Sequence, residues 1–227
     1  MTQMDGPRSP AVTKLVGGDP CLDFVNTVGG RIPIGARGWA SQVLADKLSD
    51  YPDLVAWSRH ARLVGEADAH RLERLAKRHP RAAMAVLGRA LSLREALHRT
   101  LLALMTGRRP AREDLELLNA EMAAARGREA LRVERGAVRW TWLDAGARLD
   151  SPLWPISRAA AALLTSGLGR LRVCGGERCG WLFVDRSRNR SRQWCTMEDC
   201  GNVSKVRRFR ARLAPPARAP RRGPRVG

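Results

Sequence analysis

Apolar residues in the middle of the chain recur every three or four positions, which is the spacing of one face of an α-helix. The period predicts helices that begin near Asp50 or Asp53 and that cover residues 66–78, 80–106 and 111–126. An aspartate side chain at the start of a helix accepts hydrogen bonds from the free backbone N–H groups of the first turn, so either aspartate could cap the first helix. The central part of the chain is therefore predicted to be mainly helical.

The period changes to alternation around Gly136, which predicts a β-hairpin. The alternating residues are Leu131, Val133, Val138, Trp140 and Trp142. An Ala- and Leu-rich stretch over residues 152–166 then predicts one more helix. Near the start, the apolar residues of 22–28 predict a short buried strand or helix between glycine turns.

Gly167 and Gly169 mark a predicted boundary, because the composition changes after them. We predict a flexible N-terminus over residues 1–14, a helical domain over 15–168 and a C-terminal module over 169–213. The Pro- and Arg-rich residues 214–227 have too few apolar side chains for a core and are predicted to be disordered. The predicted fold class is α+β.

Charge is concentrated at the C-terminal end. The 227 residues carry a net charge of +19, and the segment from Leu171 onward holds 15 Lys and Arg against four Asp and Glu. Such an excess favours a polyanionic partner, with nucleic acid ahead of an anionic membrane surface. The sequence shows neither a leader pattern nor an apolar run of membrane-spanning length, which predicts a cytoplasmic protein that does not enter membranes.

Four of the five cysteines fall in two Cys-x4-Cys pairs, at Cys174, Cys179, Cys195 and Cys200. Two such pairs separated by a short insert predict a closed four-thiolate site, and Zn²⁺ is the cofactor that suits it best. Free core thiols, a redox pair or an iron–sulfur cluster are the alternatives. Cys21 stands alone and is predicted to be a buried core thiol.

Between the cysteine pairs, residues 181–184 predict a strand, and an Arg-rich turn follows. A second short strand is expected before Cys195, which together would make a zinc ribbon or treble-clef-like module. The arginines of the turn are nucleic-acid-binding candidates: Arg186, Arg188, Arg190 and Arg192.

After Cys200 the pattern predicts a helix capped by Asn202 or Ser204. Val206, Phe209 and Leu213 fall on one face, which we expect to dock on the C-terminal module. The basic side chains on the other faces are the remaining nucleic-acid-binding candidates: Lys205, Arg207, Arg208, Arg210 and Arg212.

The segment RVCGGERCGWLFVDRSRNRSRQWCTMEDCGNVSKVRRFRAR resembles the CGNR zinc-finger module, and LVGGDPCLDFVNTV resembles the start of the ABATE domain. The resemblance covers nearly the whole chain. It implies a stress-related bacterial transcription regulator whose zinc-bound end contacts DNA and whose zinc ligands are the four paired cysteines. The naming motif ends in Arg, whereas this chain has Val203, which puts one phosphate contact in doubt.

Asp23 and Asn26 lie in the opening motif and are candidate ligand-binding residues, although a structural use of their side chains is favoured. The tryptophans of the helical domain could line an apolar pocket, but core packing is the default expectation: Trp39, Trp57, Trp140, Trp142 and Trp154. The histidines show no metal-ligand spacing, and no catalytic motif stands out, so we predict that the protein is not an enzyme.

These patterns together predict a DNA-binding regulator whose helical domain senses a small-molecule effector or dimerises. One alternative is an RNA-binding protein that stacks bases on Trp181, Phe183 and Trp194. Another is an enzyme that carries a structural zinc ribbon. The sequence leaves the target DNA, the effector and the oligomeric state open, with a homodimer among the alternatives.

Overall fold

The computed structural model describes residues 14–31, 33–34, 38–39 and 45–213. The predictions for the tail after Leu213 and for all of the N-terminus before Lys14 lie outside the described residues. The side chain of Trp39 also lies outside them.

Six α-helices form in the described part of the helical domain, and they confirm the predicted pattern closely. The opening stretch folds as a helix rather than a strand. The helices are α1 (Pro20–Val25), α2 (Tyr51–His60), α3 (Glu66–Arg78), α4 (Pro80–Met105), α5 (Arg112–Arg126) and α6 (Leu153–Thr165).

Local capping explains where the first two helices begin. The Asp19 carboxylate accepts the Cys21 N–H at 3.0 Å at the start of α1. At the start of α2, Asp50 accepts the Asp53 N–H at 2.9 Å, while Asp53 accepts the Asp50 N–H at 3.4 Å. These reciprocal bonds satisfy donors that the first helical turn leaves free.

Helix α4 lies in the core of the helical domain, and its apolar stripe is buried. It packs against α5, α1 and α2, while α6 packs against α5 and α1. Leu93, Leu97 and Leu101 are fully buried, as their helical spacing predicts. Among the described residues, no helix combines the length and the apolar character that crossing a membrane requires.

The strands form four separate antiparallel pairs among the described residues. The predicted hairpin is confirmed, with Leu131 opposite Trp140 and with positive φ angles of 50° at Arg135 and 79° at Gly136. The pairs are β1 (Val28–Gly29) with β4 (Ala45–Asp46), β2 (Pro33–Ile34) with β3 (Gly38–Trp39), β5 (Glu129–Glu134) with β6 (Ala137–Trp142), and β7 (Leu171–Val173) with β8 (Leu182–Val184).

The C-terminal module differs from expectation in its strand pairing. Strand β8 confirms the predicted strand, but its partner is β7, which precedes the first cysteine. The second strand expected before Cys195 was wrong, because the chain after Val184 folds into a loop. A wide helical turn, Met197–Gly201, then leads into α7 (Asn202–Leu213). The α+β class and the small cysteine-bearing module are confirmed.

Hydrogen bonds join the C-terminal module to the opening segment of the helical domain. The Asn26 side chain donates to the Leu182 carbonyl oxygen at 2.8 Å and accepts the Leu182 N–H at 2.9 Å. The Val184 N–H donates to the Gly17 carbonyl oxygen at 2.8 Å, and the Trp181 indole N–H donates to the Val28 carbonyl oxygen at 2.8 Å. We call this set of contacts the seam. It fixes strand β8 against the domain that begins the chain.

Candidate metal centre and basic surface

The sulfur atoms of Cys174, Cys179, Cys195 and Cys200 all lie within 4.8 Å of one another. The Sγ atoms of Cys179 and Cys195 are 3.7 Å apart, and those of Cys195 and Cys200 are 3.5 Å apart. A tetrahedron with metal–sulfur bonds of about 2.3 Å has sulfur–sulfur edges of about 3.8 Å. The four thiols therefore have the dimensions of a tetrahedral metal site.

Two glycines let the backbone approach the cluster and the seam closely. A Cβ atom on Gly176 would lie 2.9 Å from the Cys200 sulfur. Gly180 follows Cys179 with a φ of +66°, and a Cβ atom there would lie 2.3 Å from the Arg31 carbonyl oxygen. A larger residue at Gly176 would push the cysteine loops apart, and one at Gly180 would clash with the backbone of Arg31.

The protonation of the thiols depends strongly on their neighbours. The hydrogen bond between the side chains of Cys174 and Cys179 lowers the pKa of Cys174 and raises the pKa of Cys179. The backbone N–H of Cys195 also donates to the Cys174 sulfur at 3.2 Å. Four thiolates so close together repel one another, and a bound divalent cation is what allows all four to ionise. The site is thus suited to hold a metal ion.

Asp185, which sequence reasoning did not single out, organises the Arg-rich turn. Its buried carboxylate accepts the Ser187 hydroxyl at 2.6 Å, the Ser187 N–H at 2.9 Å and the Arg192 N–H at 3.1 Å. These hydrogen bonds, chiefly that of the Ser187 side chain, lower the pKa of Asp185. The Asp-x-Ser order at the start of the turn was the available signal, since aspartate commonly bonds the backbone two residues on.

The four arginines of the turn separate into two kinds. Arg192 lies over the Phe183 ring at 4.2 Å and donates to the Trp194 carbonyl oxygen at 3.1 Å. Arg186 donates to the Gly18 carbonyl oxygen at 2.7 Å and so contributes to the seam. The exposed guanidinium groups of Arg188 and Arg190 show no hydrogen-bond or ion-pair partner among the described residues.

The start of α7 differs from the predicted cap. Thr196, rather than Asn202 or Ser204, accepts the backbone N–H of Asp199 at 3.1 Å at the start of the preceding turn. Asn202 instead donates from its side chain to the Glu198 carbonyl oxygen at 3.2 Å. The helix therefore continues directly from the Cys200 turn and is positioned by the cysteine cluster.

The predicted docking of the apolar stripe of α7 was wrong. Val206, Phe209 and Leu213 are 48%, 62% and 67% exposed, and no residue of the helix is buried. Ser204, on another face, is the half-buried residue of α7. The helix contacts the module through that face near its N-terminus, which turns the apolar stripe outward.

The basic residues of α7 also differ in their contacts. Arg207 pairs with Glu177, and the Arg208 guanidinium lies 5.9 Å from the centre of the Trp194 ring. The side chains of the other three show no hydrogen-bond or ion-pair partner among the described residues. They are Lys205, Arg210 and Arg212.

The three aromatic residues that could have stacked on RNA bases are engaged within the protein. Phe183 is fully buried beneath Arg192. The Trp181 indole donates into the seam, and the half-buried Trp194 packs against Gly175 and lies beneath Arg208.

Asp23 and Asn26 are both buried and both bond backbone groups. Asp23 accepts the Gly17 N–H at 2.7 Å, which closes the loop before α1, and Asn26 bridges the seam. These contacts agree with the favoured structural use, and a ligand role for either residue stays a prediction.

Four clustered cysteines on a small basic module, joined to a helical domain, define a metal-binding protein of the zinc-finger class. The family comparisons agree with this class. The ABATE model, described as "Putative stress-induced transcription regulator", matches residues 18–167, and the CGNR zinc finger model matches residues 170–213. The chain belongs to the ABATE family and carries a CGNR zinc finger. A search of curated proteins found no match.

Proposed function

We propose that this protein is a cytoplasmic, non-catalytic transcription regulator that binds duplex DNA through its C-terminal module, with one structural Zn²⁺ on the four cysteines. In this proposal the helical domain senses a small effector or forms a homodimer. The family descriptions, a transcription regulator and a zinc finger, support this assignment.

The donor set supports zinc as the metal. Four thiolates in a closed tetrahedron match the preference of Zn²⁺ for soft sulfur ligands in structural sites. The cluster also joins the loop after β7 to the turn that starts α7. A metal there would therefore fix the position of the basic helix.

The observation that carries DNA binding is a set of exposed, unpaired cations on this small module. Lys205 and Arg212 on α7, with Arg188 and Arg190 on the turn, have no carboxylate partner among the described residues. A merely solvated charged face would show interleaved acidic partners, as the surface of the helical domain does. Unpaired guanidinium and ammonium groups are free to bind phosphates.

A salt titration tests the proposal. In a chain that ends at Ala214, so that the Arg-rich tail adds no charge, Arg212→Ala should weaken duplex binding to all sequences. It should also flatten the slope of log affinity against log salt by about one unit. Arg208→Ala should act in the same way if its ring contact leaves it free to reach phosphate.

Arg132→Ala is the matched control, because Arg132 is exposed on the hairpin of the helical domain and loses the same charge. The control should leave the salt slope unchanged. Equal effects of Arg132→Ala and Arg212→Ala would mean that net charge, and not α7, governs binding.

We also propose that the turn containing Arg188 and Arg190 contacts the edges of DNA bases. Arg190 has a positive φ of 51°, and Asp185 bonds hold the turn in place. Replacing a base-contacting arginine with alanine should reduce the binding free energy by roughly 1–3 kcal/mol, and only for the base at one position. A uniform loss over all sequences would make the turn another phosphate contact.

RNA binding is the second candidate function, and a competition between duplex DNA and RNA of the same sequence distinguishes it. The internal engagement of Trp181, Phe183 and Trp194 favours DNA, because stacking on bases needs free aromatic faces. Preferred binding of single-stranded RNA would reverse this assignment.

A further inference from the structure

A cavity of about 550 Å³ lies between the hairpin β5–β6 and helices α5 and α6. Its apolar walls include Met122 and Ala125 of α5 and Ala161 of α6. The lining residues belong neither to the cysteine cluster nor to the basic residues of the C-terminal module. The cavity is therefore a separate feature of the helical domain.

Two tryptophans of β6 line the same cavity. Trp142 is held by Trp154, with ring centres 6.0 Å apart. Trp140 is 58% exposed, although tryptophan is among the residues that gain most from burial. A flat molecule in the cavity would cover apolar surface on these indole rings.

A buried polar group also lines the cavity. Ser157 is fully buried, and its hydroxyl has no hydrogen-bond partner among the described residues. Leaving a buried donor and acceptor unpaired is unfavourable, so a polar substituent of a ligand would gain a hydrogen bond there.

The charges around the cavity favour an anion. Arg158 and Glu129 pair with each other at 3.3 Å. Arg126 also lines the cavity, is exposed, and has no carboxylate partner among the described residues. One guanidinium thus remains available for a carboxylate or a similar group.

We propose that this cavity binds a planar aromatic molecule that carries one anionic group. The ring would lie against Trp140 and Trp142, the anion would pair with Arg126, and a polar substituent would reach Ser157. The proposal rests on the proposed function in one respect, because it gives the sensing role of the helical domain a site and a ligand class.

Calorimetric titration of the full-length, metal-loaded protein tests the site with two probes of equal shape, 2-naphthoate and neutral 2-naphthylmethanol. We expect saturable 1:1 binding of both, with naphthoate bound at least about fivefold more tightly because of the charge-assisted contact. Arg126→Ala should abolish the preference for naphthoate. Trp140→Ala should weaken the binding of both probes about tenfold, because stacking on the indole ring is lost.

Arg132→Ala serves as the control, since Arg132 points to the opposite face of the hairpin from Trp140 in the strand register. It should leave both affinities unchanged. Arg126, Trp140 and Arg132 are exposed, so the substitutions should leave the fold intact, which circular dichroism checks. Absence of saturable naphthoate binding at millimolar concentration, or a wild-type preference in Arg126→Ala, would overturn the proposal.

The experiment contains no nucleic acid, so its failure and that of the DNA-binding proposal are separable. A loss of naphthoate binding with intact DNA binding would remove this site alone. Naphthoate binding without DNA binding would keep the site and remove its role in transcription.

Discussion

The buried arginines of the helical domain and the exposed arginines of the C-terminal module serve opposite purposes. In the helical domain, Arg31 is 2% exposed and pairs with Glu95 at 2.8 Å. Arg94 is 3% exposed and pairs with Asp46 at 2.6 Å. A buried guanidinium requires such a partner, because an uncompensated buried charge is strongly destabilising. Arg188 of the C-terminal module is exposed and has no partner among the described residues.

The supply of carboxylates explains the difference. Four acidic residues lie from Leu171 onward, against 15 basic ones. Asp185 is occupied by the backbone of the turn, Asp199 by Lys14 and Glu177 by Arg207. Most arginines of the module therefore keep their charge available for a partner. An arginine's role therefore follows from the acids near it and not from its own identity.

The two regions also differ in what holds them together. The helical domain has a large apolar core around α4. The C-terminal module contributes Leu171 and Leu182 to that same core. Its own buried cluster consists of Cys174, Phe183 and Cys195, two of which are sulfur donors of the candidate metal site. A cluster this small cannot by itself offset the entropy of ordering the module, so the module depends on a metal, on the seam and on the burial of β7 and β8 side chains in the main core.

Removing the metal ligand set should give the largest effect and sharpen this contrast. Cys179→Ser should abolish binding of about one metal ion per chain and unfold much of residues 171–213. Helix α4 and its neighbours should keep their structure. Elemental analysis and hydrogen exchange measure the two effects.

Cys21→Ala is the control for this prediction, because Cys21 is fully buried in the core of the helical domain and is not among the four clustered cysteines. It should retain the metal. A Cys179→Ser protein with unchanged metal content would contradict the four-thiolate site.

The seam predicts the next largest effect. Asn26→Leu leaves the N–H and C=O of Leu182 unpaired in a buried place, which should lower the free energy of unfolding by about 2–4 kcal/mol. Denaturant unfolding measures this change, and Asn119→Leu, at an exposed position of α5, is the matched control.

The seam also predicts coupling between the two regions. In a Cys179→Ser background, Asn26→Leu should cost much less, because β8 is then disordered already. Additive effects of the two substitutions would show instead that the two regions are energetically independent units.

Asp23 predicts a smaller, pH-dependent effect confined to the helical domain. Burial raises the pKa of Asp23 from 3.8 to about 6. The folded state therefore binds more protons than the unfolded state between these pH values, so this residue's contribution to stability falls as pH rises through that window. The loss should be at most about 3 kcal/mol and complete above pH 7.

Asp23→Asn should remove this dependence, because the amide oxygen still accepts the Gly17 N–H and does not titrate. The test compares the free energy of unfolding of the wild-type and Asp23→Asn proteins between pH 4 and pH 8. Effects of pH on the metal site are common to both proteins and cancel in the difference. Asp144→Asn, at an exposed position, is the control. If the difference in the free energy of unfolding between the wild-type and Asp23→Asn proteins stays constant with pH, Asp23 does not titrate as a buried carboxylate in this range.

Val203→Arg should give the smallest effect and test the departure from the naming motif. Val203 is 68% exposed on the first turn of α7, and Arg207 nearby is already paired with Glu177. A new arginine should add one phosphate contact and steepen the salt slope by about 0.9 units. Val203→Gln, which adds length without charge, should leave the slope unchanged.

The candidate metal site was predictable because its information is local. Cysteine spacing identified all four converging sulfurs, since two short loops can bring their cysteines together without help from distant residues. The helices were predictable for the same reason, because each apolar stripe is a property of one segment. The limits of α3, Glu66–Arg78, coincide with the predicted residues 66–78.

Other features depended on contacts that no local pattern contains. The hydrogen bond between Asn26 and Leu182 joins residues 156 positions apart. The outward turn of Phe209 depends on which face of α7 meets the cysteine loops, and an apolar stripe alone does not specify its partner.

Local patterns in the chain suffice to specify the helices, the four sulfur donors and the concentration of positive charge at the C-terminal end. Long-range folding selects which arginines are paired, which strand accompanies β8, and that the chain's opening segment holds the C-terminal module in place. The physical reason is that periodicity and ligand spacing act within a segment, whereas hydrogen bonds and ion pairs are chosen among all groups that folding brings within about 3 Å.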